Sequence, residues 1–347
     1  FPVFLHPDSK EEYALARTEK SIGLGHRDFK FNFDSTVTLE EDLSRRDITI
    51  NAIAKDENDK LIDPFGGLDD IKKKKIRHVS DAFKEDPLRI FRVARFMHKL
   101  KSFRFEIQNE TMNIMRDMTS DITHLSPERI WNETEKALNY HNTAAKYFYT
   151  LYEIFYATPF YRKVIMPNSK LLILSGALYQ KDELFHYREV PSNFDSQLIL
   201  NDGLRSPESW WSLVSLLAIN PYWLNEKLRV PKSFRKMSEY VLFFRSYFEN
   251  YHNFDFNQKI DNLFACLEKI QSYRDAEYAT DIVFLASHNI LSKYQLSEWP
   301  NFILEYSNIT PSNEEKKLES DKIVKILKKR KIELIKNYLL RDRKEIK

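Results

Sequence analysis

Four short clusters, all before Leu138, combine residue types able to bind and discriminate a charged small molecule. The first is Arg45-Arg46-Asp47-Ile48-Thr49-Ile50-Asn51. Adjacent guanidiniums grip phosphate oxygens through paired N–H groups. A carboxylate followed four residues later by an amide suits a triphosphate with its ribose. A helix across this run puts Asp47 and Asn51 on one face. Alone, the run reads equally as a solvated, ion-paired surface. The second cluster, Leu61-Ile62-Asp63-Pro64-Phe65-Gly66-Gly67-Leu68-Asp69-Asp70, is a strand ending in a Pro/Gly turn, suited to shaping a pocket.

The third is Glu85-Asp86-Pro87-Leu88-Arg89-Ile90-Phe91-Arg92-Val93-Ala94-Arg95. Its plain reading is a helix capped by Asp86, with Pro at the first helical position and Arg89, Arg92 and Arg95 as a solvated stripe. A sharper reading uses Asp86 and Arg89 as an acceptor beside a donor. Cytosine and adenine present an amino donor beside a ring-nitrogen acceptor; uracil and guanine present the reverse. A fixed Asp/Arg pair would accept C and A and reject U and G, because mismatched buried polar groups stay unpaired. The fourth, Leu125-Ser126-Pro127-Glu128-Arg129-Ile130-Trp131-Asn132-Glu133, is a capped helix start with a mainly architectural role.

The elements that must carry these clusters are read from punctuation and periodicity. Four of the six glycines lie in the first 67 residues, so tight turns belong to the start and the rest is helical. Strand-type runs are 3–5, 12–17, 60–63 and 76–79. The polar stretch 18–38 reads as one long mobile loop. Asp86-Pro87, Ser126-Pro127-Glu128 and Ser206-Pro207-Glu208 each open a helix. Leu88, Phe91, Val93, Phe96 and Met97 give the first of these an apolar face. Residues 314–347 hold 13 Lys/Arg against 7 Asp/Glu, a charged helix with an apolar stripe of Ile323, Ile326, Leu327, Leu334 and Ile335. Its cations read either as a solvated face or as a phosphate-contacting one.

Composition narrows the classes. Across 347 residues, 42% apolar and 30% charged with net charge +3 fit a folded chain and exclude global disorder. The longest apolar stretches, such as 171–174, cannot cross a bilayer, and the start lacks the pattern of a secretory leader. A single cysteine, Cys266, excludes a disulfide framework and a thiolate metal cluster, and fits a reducing, cytoplasmic setting. The first residue is Phe1, in a run that already reads as a strand, so the chain is expected to start inside a domain. The expected class is α+β: a partial head with a small mixed β-sheet, then an all-α remainder.

In order and spacing, these clusters resemble those of the bacterial tRNA nucleotidyltransferases, the CCA-adding enzymes of the polymerase-β-like superfamily. The likeness rests on Glu12-Tyr13-Ala14-Leu15-Ala16-Arg17, Arg45-Arg46-Asp47 with Asn51, Asp63-Pro64-Phe65-Gly66-Gly67, Glu85-Asp86-Pro87-Leu88-Arg89 with Arg92 and Arg95, and Leu125-Ser126-Pro127-Glu128-Arg129. It implies a head (1–80), a neck with the template helix (81–140), a helical body (141–250) and a helical tail that grips tRNA (251–347). It implies that Asp86 and Arg89 pair with the incoming base. Arg46, Arg92 and Arg95 would contact the nucleotide, Asp47 and Asn51 would line its ribose or phosphate side, and the 18–38 stretch would help switch from C to A addition.

The implied reaction is attack of the tRNA 3′-hydroxyl on the α-phosphate of CTP or ATP, assisted by Mg²⁺, without a membrane or an evident protein partner. The family's glycine-rich motif and Asp-x-Asp pair precede the segment that matches Phe1. The chain as written is therefore expected to lack the main Mg²⁺ ligands, so that no metal site is assigned and Glu12 is left as a third acidic residue. Poly(A) polymerases, relatives adding only CC or only A, and a non-catalytic tRNA-binding module share these features. No histidine is followed by Asp, so a His-Asp phosphohydrolase activity is not expected.

Overall fold

The computed structural model describes residues 3–21, 29–32, 36–140, 145–155, 206–217, 221–270, 275–287 and 293–345. Contacts divide the chain into two units, Phe1–Tyr179 and Gln180–Lys347. The architecture is α+β. Strands are confined, among the described residues, to the first unit, and the second is helical.

Strands of the first unit form two-stranded ladders. β1 (Phe4–Leu5) pairs antiparallel with β2 (Glu12–Tyr13), and β5 (Ala54–Lys55) with β6 (Leu61–Ile62). β7 (Lys75–Ile76) runs parallel to β8 (Glu106–Ile107). Parallel and antiparallel pairing thus both occur, in separate ladders. The 18–38 stretch is not one loop. It contains an antiparallel hairpin of β3 (Thr18–Ser21) and β4 (Phe29–Asn32), in register from Thr18↔Asn32 to Ser21↔Phe29. Thr18, Phe29 and Phe31 are good strand formers, a signal masked by the polar residues around them. Residues 22–28 and 33–35 of that stretch lie outside the described ones.

Helices α1 (Leu39–Ser44), α2 (Gly67–Lys73), α3 (Leu88–Lys99), α4 (Asn109–Asp117), α5 (Pro127–Leu138) and α6 (Ala145–Phe155) complete the first unit. A capping box closes the start of α1: Thr38 Oγ1 accepts from the Glu41 N–H and Glu41 accepts from the Thr38 N–H. The helix ends at Ser44, so Arg45–Asn51 is not α-helical as the sequence suggested. Arg45 caps α1, and a 3-10 turn spans Thr49–Asn51. The apolar face of α3 is as the spacing predicts. Leu88, Phe91, Val93 and Met97 are buried and the helix packs on α5 and α6, but Phe96 is only half-buried, beneath the Arg92 and Arg95 guanidiniums. Pro127 opens α5, but Ser126 makes no side-chain cap there.

The Asp63–Asp70 turn sets the position of α2. Asp63 accepts from the Gly67 and Leu68 N–H groups (2.7 and 2.8 Å) and so caps α2 from outside the helix. Gly66 sits at φ +74°, where glycine is unstrained. Gly67 lies so close to the 3-10 turn that a Cβ would run into the Thr49 carbonyl and come 2.9 Å from Ile53 Cγ1.

In the second unit, α7 (Pro207–Leu217) starts where the Ser-Pro-Glu pattern put it, with Ser206 Oγ accepting from the Ser209 N–H at 3.1 Å. It is followed by α8 (Pro221–Lys227), α9 (Lys232–Glu249), α10 (Phe256–Lys269), α11 (Ala276–Ser287), α12 (Lys293–Ser307) and α13 (Ser320–Glu345). Helix α9 is central and packs on α7, α10 and α11. The apolar stripe of α13 faces α10 and α12, with Ile335 and Leu339 buried. Its charges are not all solvated: Lys331 turns inward to Glu268 at 2.8 Å. No helix among the described residues is long and apolar enough to cross a membrane.

The close approach of α2 to the Thr49 turn yields a stability prediction. Gly67→Ala is expected to cost about 1–3 kcal/mol, because backbone and not a flexible side chain must give way. A urea midpoint lowered at unchanged slope checks it; an unchanged midpoint would mean that α2 can shift without penalty.

Candidate functional site

Three sequence-distant pieces of the first unit, residues 12–17, the 45–51 turn and the facing ends of α3 and α5, surround a cavity of about 590 Å³. Six arginines line it, Arg17, Arg45, Arg46, Arg89, Arg92 and Arg129, with three carboxylates, Glu12, Asp47 and Asp86. Asn51 and Leu88 complete the wall.

Each arginine cluster is held from behind by a buried acid. Asp42, on α1, accepts from the Arg45 side chain, from Arg46 at 3.3 Å and from the Arg17 backbone N–H at 3.1 Å. Burial works against its charge, but the Arg45 bonds and charge outweigh that and hold its pKa below the usual carboxylate range. Arg45 Nε donates in turn to the Arg17 carbonyl at 2.9 Å. Arg46 also donates to the Asn51 carbonyl at 3.2 Å.

Asp47 is the buried acid of the cavity wall itself, 4% exposed. It accepts from Arg92 (2.7 Å), from Asn51 Nδ2 (3.0 Å) and from the Ile48 N–H (2.9 Å). Burial alone would raise its pKa; the Arg92 charge and these bonds bring it below the ordinary value. Asp47 and Asn51 therefore do face one another, through a 3-10 turn and not through the α-helix expected. That turn is pinned from beneath: buried Asp70 accepts from Thr49 Oγ1 at 2.6 Å and from Arg77 Nε at 3.0 Å, and the Thr49 N–H donates to the Arg77 carbonyl at 2.9 Å.

Asp86 and Arg89 line the same cavity, with their outer atoms tied back. Asp86 Oδ1 accepts from the Leu88 N–H at 3.1 Å, which is the cap expected, and Oδ2 accepts from Arg129 at 2.8 Å. Arg89 donates to the Arg45 and Arg46 carbonyls (2.5 and 3.4 Å) and lies 5.8 Å from the Phe83 ring centroid. Each group keeps hydrogen-bonding capacity, since a carboxylate offers about four lone-pair sites and a guanidinium five N–H donors.

Of the candidates named from sequence, Glu12, Arg46, Asp47, Asn51, Asp86, Arg89 and Arg92 border the cavity. Arg95 does not. It is 7% exposed and donates through Nε to Glu133 of α5 at 2.6 Å, one turn behind Arg92. Glu133 also faces Arg92 at 3.8 Å. Arg17 and Arg129 were missed as site residues, as were Asp42 and Glu133 behind them. A signal existed for Asp42, which stands three and four residues before Arg45 and Arg46; the i, i+4 spacing of Arg129 and Glu133 gives none, since each reaches across to α3 or its start instead.

No group of three or more His, Cys, Asp or Glu able to hold a metal ion occurs among the described residues. Asp47 and Asp86 each stand against a guanidinium, Arg92 and Arg129 respectively, and Glu12 is an exposed single carboxylate. The cavity is thus built for an anion with a hydrogen-bonding edge, and its described residues do not by themselves fit a divalent cation.

Residues 5–77 match the family described as the poly(A) polymerase head domain, and residues 104–153 the one described as the probable RNA and SrmB-binding site of polymerase A. The chain is similar to the CCA-adding enzyme of Buchnera aphidicola subsp. Cinara cedri, 45% identical over 204 residues, covering 56% of this chain and 49% of the relative. It is 54% identical over 153 residues to the multifunctional CCA protein of Acinetobacter baumannii, covering 44% and 37%. The chain thus spans about half the length, or less, of these curated relatives. Its fold is that of the Bacillus stearothermophilus CCA-adding enzyme solved in complex with CTP, with a TM-score of 0.56 at 22% identity over 87% of this chain and 65% of that one. Over the stretches compared, the chain is similar in sequence to bacterial CCA-adding enzymes, and its fold is similar to theirs.

Proposed function

We propose that this chain serves the addition of CCA to tRNA 3′ ends from CTP and ATP, in the cytoplasm. The observation that carries the reading is the joint presence of Asp86 and Arg89 in the lining of one cavity, together with guanidiniums suited to a triphosphate. The reaction is attack of the tRNA 3′-hydroxyl on the α-phosphate with release of pyrophosphate, chemistry that depends on positioning and charge stabilisation. Mg²⁺ is the ion proposed for it, and its ligands are not supplied by the residues described. What these residues do is bind and orient. Arg46 and Arg92 face the phosphates, Asp47 and Asn51 fix the turn beside the sugar, and Asp86 with Arg89 reads the base edge.

Tethering of Asp86 and Arg89 supports this assignment. A free carboxylate and guanidinium would rotate to suit uracil or guanine as readily as cytosine or adenine. Bound back to Leu88, Arg129, Arg45 and Arg46, they offer one acceptor and one donor in fixed order. A wrong base then leaves polar groups unpaired, at about 1–3 kcal/mol. Arg95, engaged with Glu133, acts in this reading through Arg92 and not on the nucleotide.

Equilibrium binding of CTP, ATP, UTP and GTP to the full chain tests the roles separately. Arg89→Ala is expected to shrink the CTP-over-UTP preference about tenfold while CTP affinity falls less than about threefold, and Arg46→Ala to weaken all four nucleotides about tenfold at unchanged preference. Equal losses in both variants would sink the base-reading role. Sequencing of extended tRNA products distinguishes CCA addition from poly(A), CC or A addition.

Asp47 gives a pH prediction. Its folded pKa lies below the unfolded value, so its stabilising contribution is full above about pH 4 and is lost as pH falls through the folded pKa. Asp47→Asn should be less stable at pH 7 by about 1–3 kcal/mol, a figure tempered by the 34% exposure of the Arg92 side chain. The gap between the two proteins should narrow as pH falls below about 4. Urea midpoints measured from pH 7 to 3 check this; a constant gap would assign the loss to packing.

A further inference from the structure

Two basic runs of the first unit, Lys72-Lys73-Lys74-Lys75-Ile76-Arg77 and Lys99-Leu100-Lys101-Ser102-Phe103-Arg104, contribute no residue to the cavity lining. The parallel ladder β7–β8 brings them side by side. Its register is Lys75↔Glu106 and Ile76↔Ile107, and the Glu106 N–H donates to the Lys74 carbonyl at 2.9 Å. Some of their charge is consumed locally. Lys73 pairs with Asp69, Lys75 with Glu106 and Arg77 with Asp70. Among the described residues, Lys72, Lys74, Lys101 and Arg104 have no carboxylate partner.

Two features mark this patch as more than solvated surface. Lys74 and Arg104 both hold left-handed backbone, at φ +55° and +59°, where glycine or asparagine is the unstrained choice. Placing exposed cations at two such adjoining caps gives up stability and asks for a compensating role. Between Lys101 and Arg104 stands Phe103, 60% exposed. Clustered cations around a bare aromatic ring suit phosphates together with a base that can stack. Acidic protein surfaces would use the cations but leave the ring without a purpose; an anionic bilayer would take up both, and the vesicle arm of the test separates it from RNA.

We propose that Lys72, Lys74, Lys101, Phe103 and Arg104 form an RNA-contacting surface separate from the cavity, the four cations meeting phosphates and Phe103 stacking on an unpaired base. It rests on the proposal that tRNA is the partner, and it assigns to that partner a contact on the first unit beyond the nucleotide cavity.

The test measures binding of an in vitro transcribed tRNA lacking its CCA end to the full chain over a salt series, with CTP binding in parallel. Lys74→Gly with Arg104→Gly removes two cations while relieving the backbone. The double variant should melt a few degrees higher, yet bind tRNA about tenfold more weakly at 0.1 M salt. Its log–log salt slope should fall by about 1.5, at ~0.7–0.9 per cation, with CTP affinity unchanged. Phe103→Ala should weaken tRNA binding about fivefold or more without altering the slope. If wild-type chain binds tRNA and the double variant binds it equally with the same slope, this surface is overturned and the tRNA reading stands. If wild-type chain binds CTP but no tRNA, both are overturned. If the substitutions abolish binding to phosphatidylserine vesicles and leave tRNA binding intact, the patch is a membrane contact and the proposal falls.

Discussion

Six guanidiniums around one cavity repel one another, and two unit charges 4 Å apart in an environment of effective dielectric 20 cost about 4 kcal/mol. The first unit can hold such a wall only because acids stand behind it. Asp42 neutralises Arg45 and Arg46, Asp47 takes Arg92, and Glu133 takes Arg95 and shares Arg92. These acids are themselves buried, which alone would drive them toward neutrality. Acid and base therefore stabilise each other's charge, and the depressed pKa values of Asp42 and Asp47 report that balance.

The same pairs are the mechanical frame. Asn51, Asp47, Arg92, Glu133 and Arg95 form a run of alternating donors and acceptors that ties the 45–51 turn to α3 and α3 to α5. Arg129–Asp86 makes a second tie between the starts of α5 and α3. Two ties between the same helices fix both spacing and rotation, so the side chains at the mouth of α3 have little freedom left to lose when a ligand arrives. The Ser126–Glu133 cluster, architectural in its sequence reading, is in this sense the support on which the third cluster stands.

Legibility in the sequence depends on how local the cause is. The start of α3 and its apolar face are set by residues within a dozen positions, and Asp86, Leu88 and Phe91 announce them. The fold class is carried by the distribution of glycine and of helix-opening Ser-Pro pairs. Geometry set by distant residues is not legible. The i, i+4 pair of the 45–51 turn fits a helix; the Asp70–Thr49 bond and the Gly67 approach that force a 3-10 turn come from residues some twenty positions on. Arg95 shares the spacing of Arg89 and Arg92. Only the position of Glu133 turns it away from the cavity. The β3–β4 hairpin is hidden by polar composition, and the inward turn of Lys331 to Glu268 by a helix that reads as uniformly charged.

On the proposed assignment, separate backing groups would let one small cavity serve two recognition tasks. Arg46 is held by a carboxylate, Asp42, whereas Arg89 is held by the carbonyls of Arg45 and Arg46 and rests near Phe83. A guanidinium backed by a carboxylate has its charge partly satisfied and still offers outward N–H groups to phosphates. One held by backbone carbonyls gains fixed direction, the property a hydrogen-bonding edge requires. The two are nonetheless linked, because the carbonyls that orient Arg89 belong to the residues whose side chains Asp42 anchors. On the proposed assignment, a phosphate drawing on Arg45 or Arg46 would act through their backbone carbonyls on Arg89, the donor proposed to meet the base.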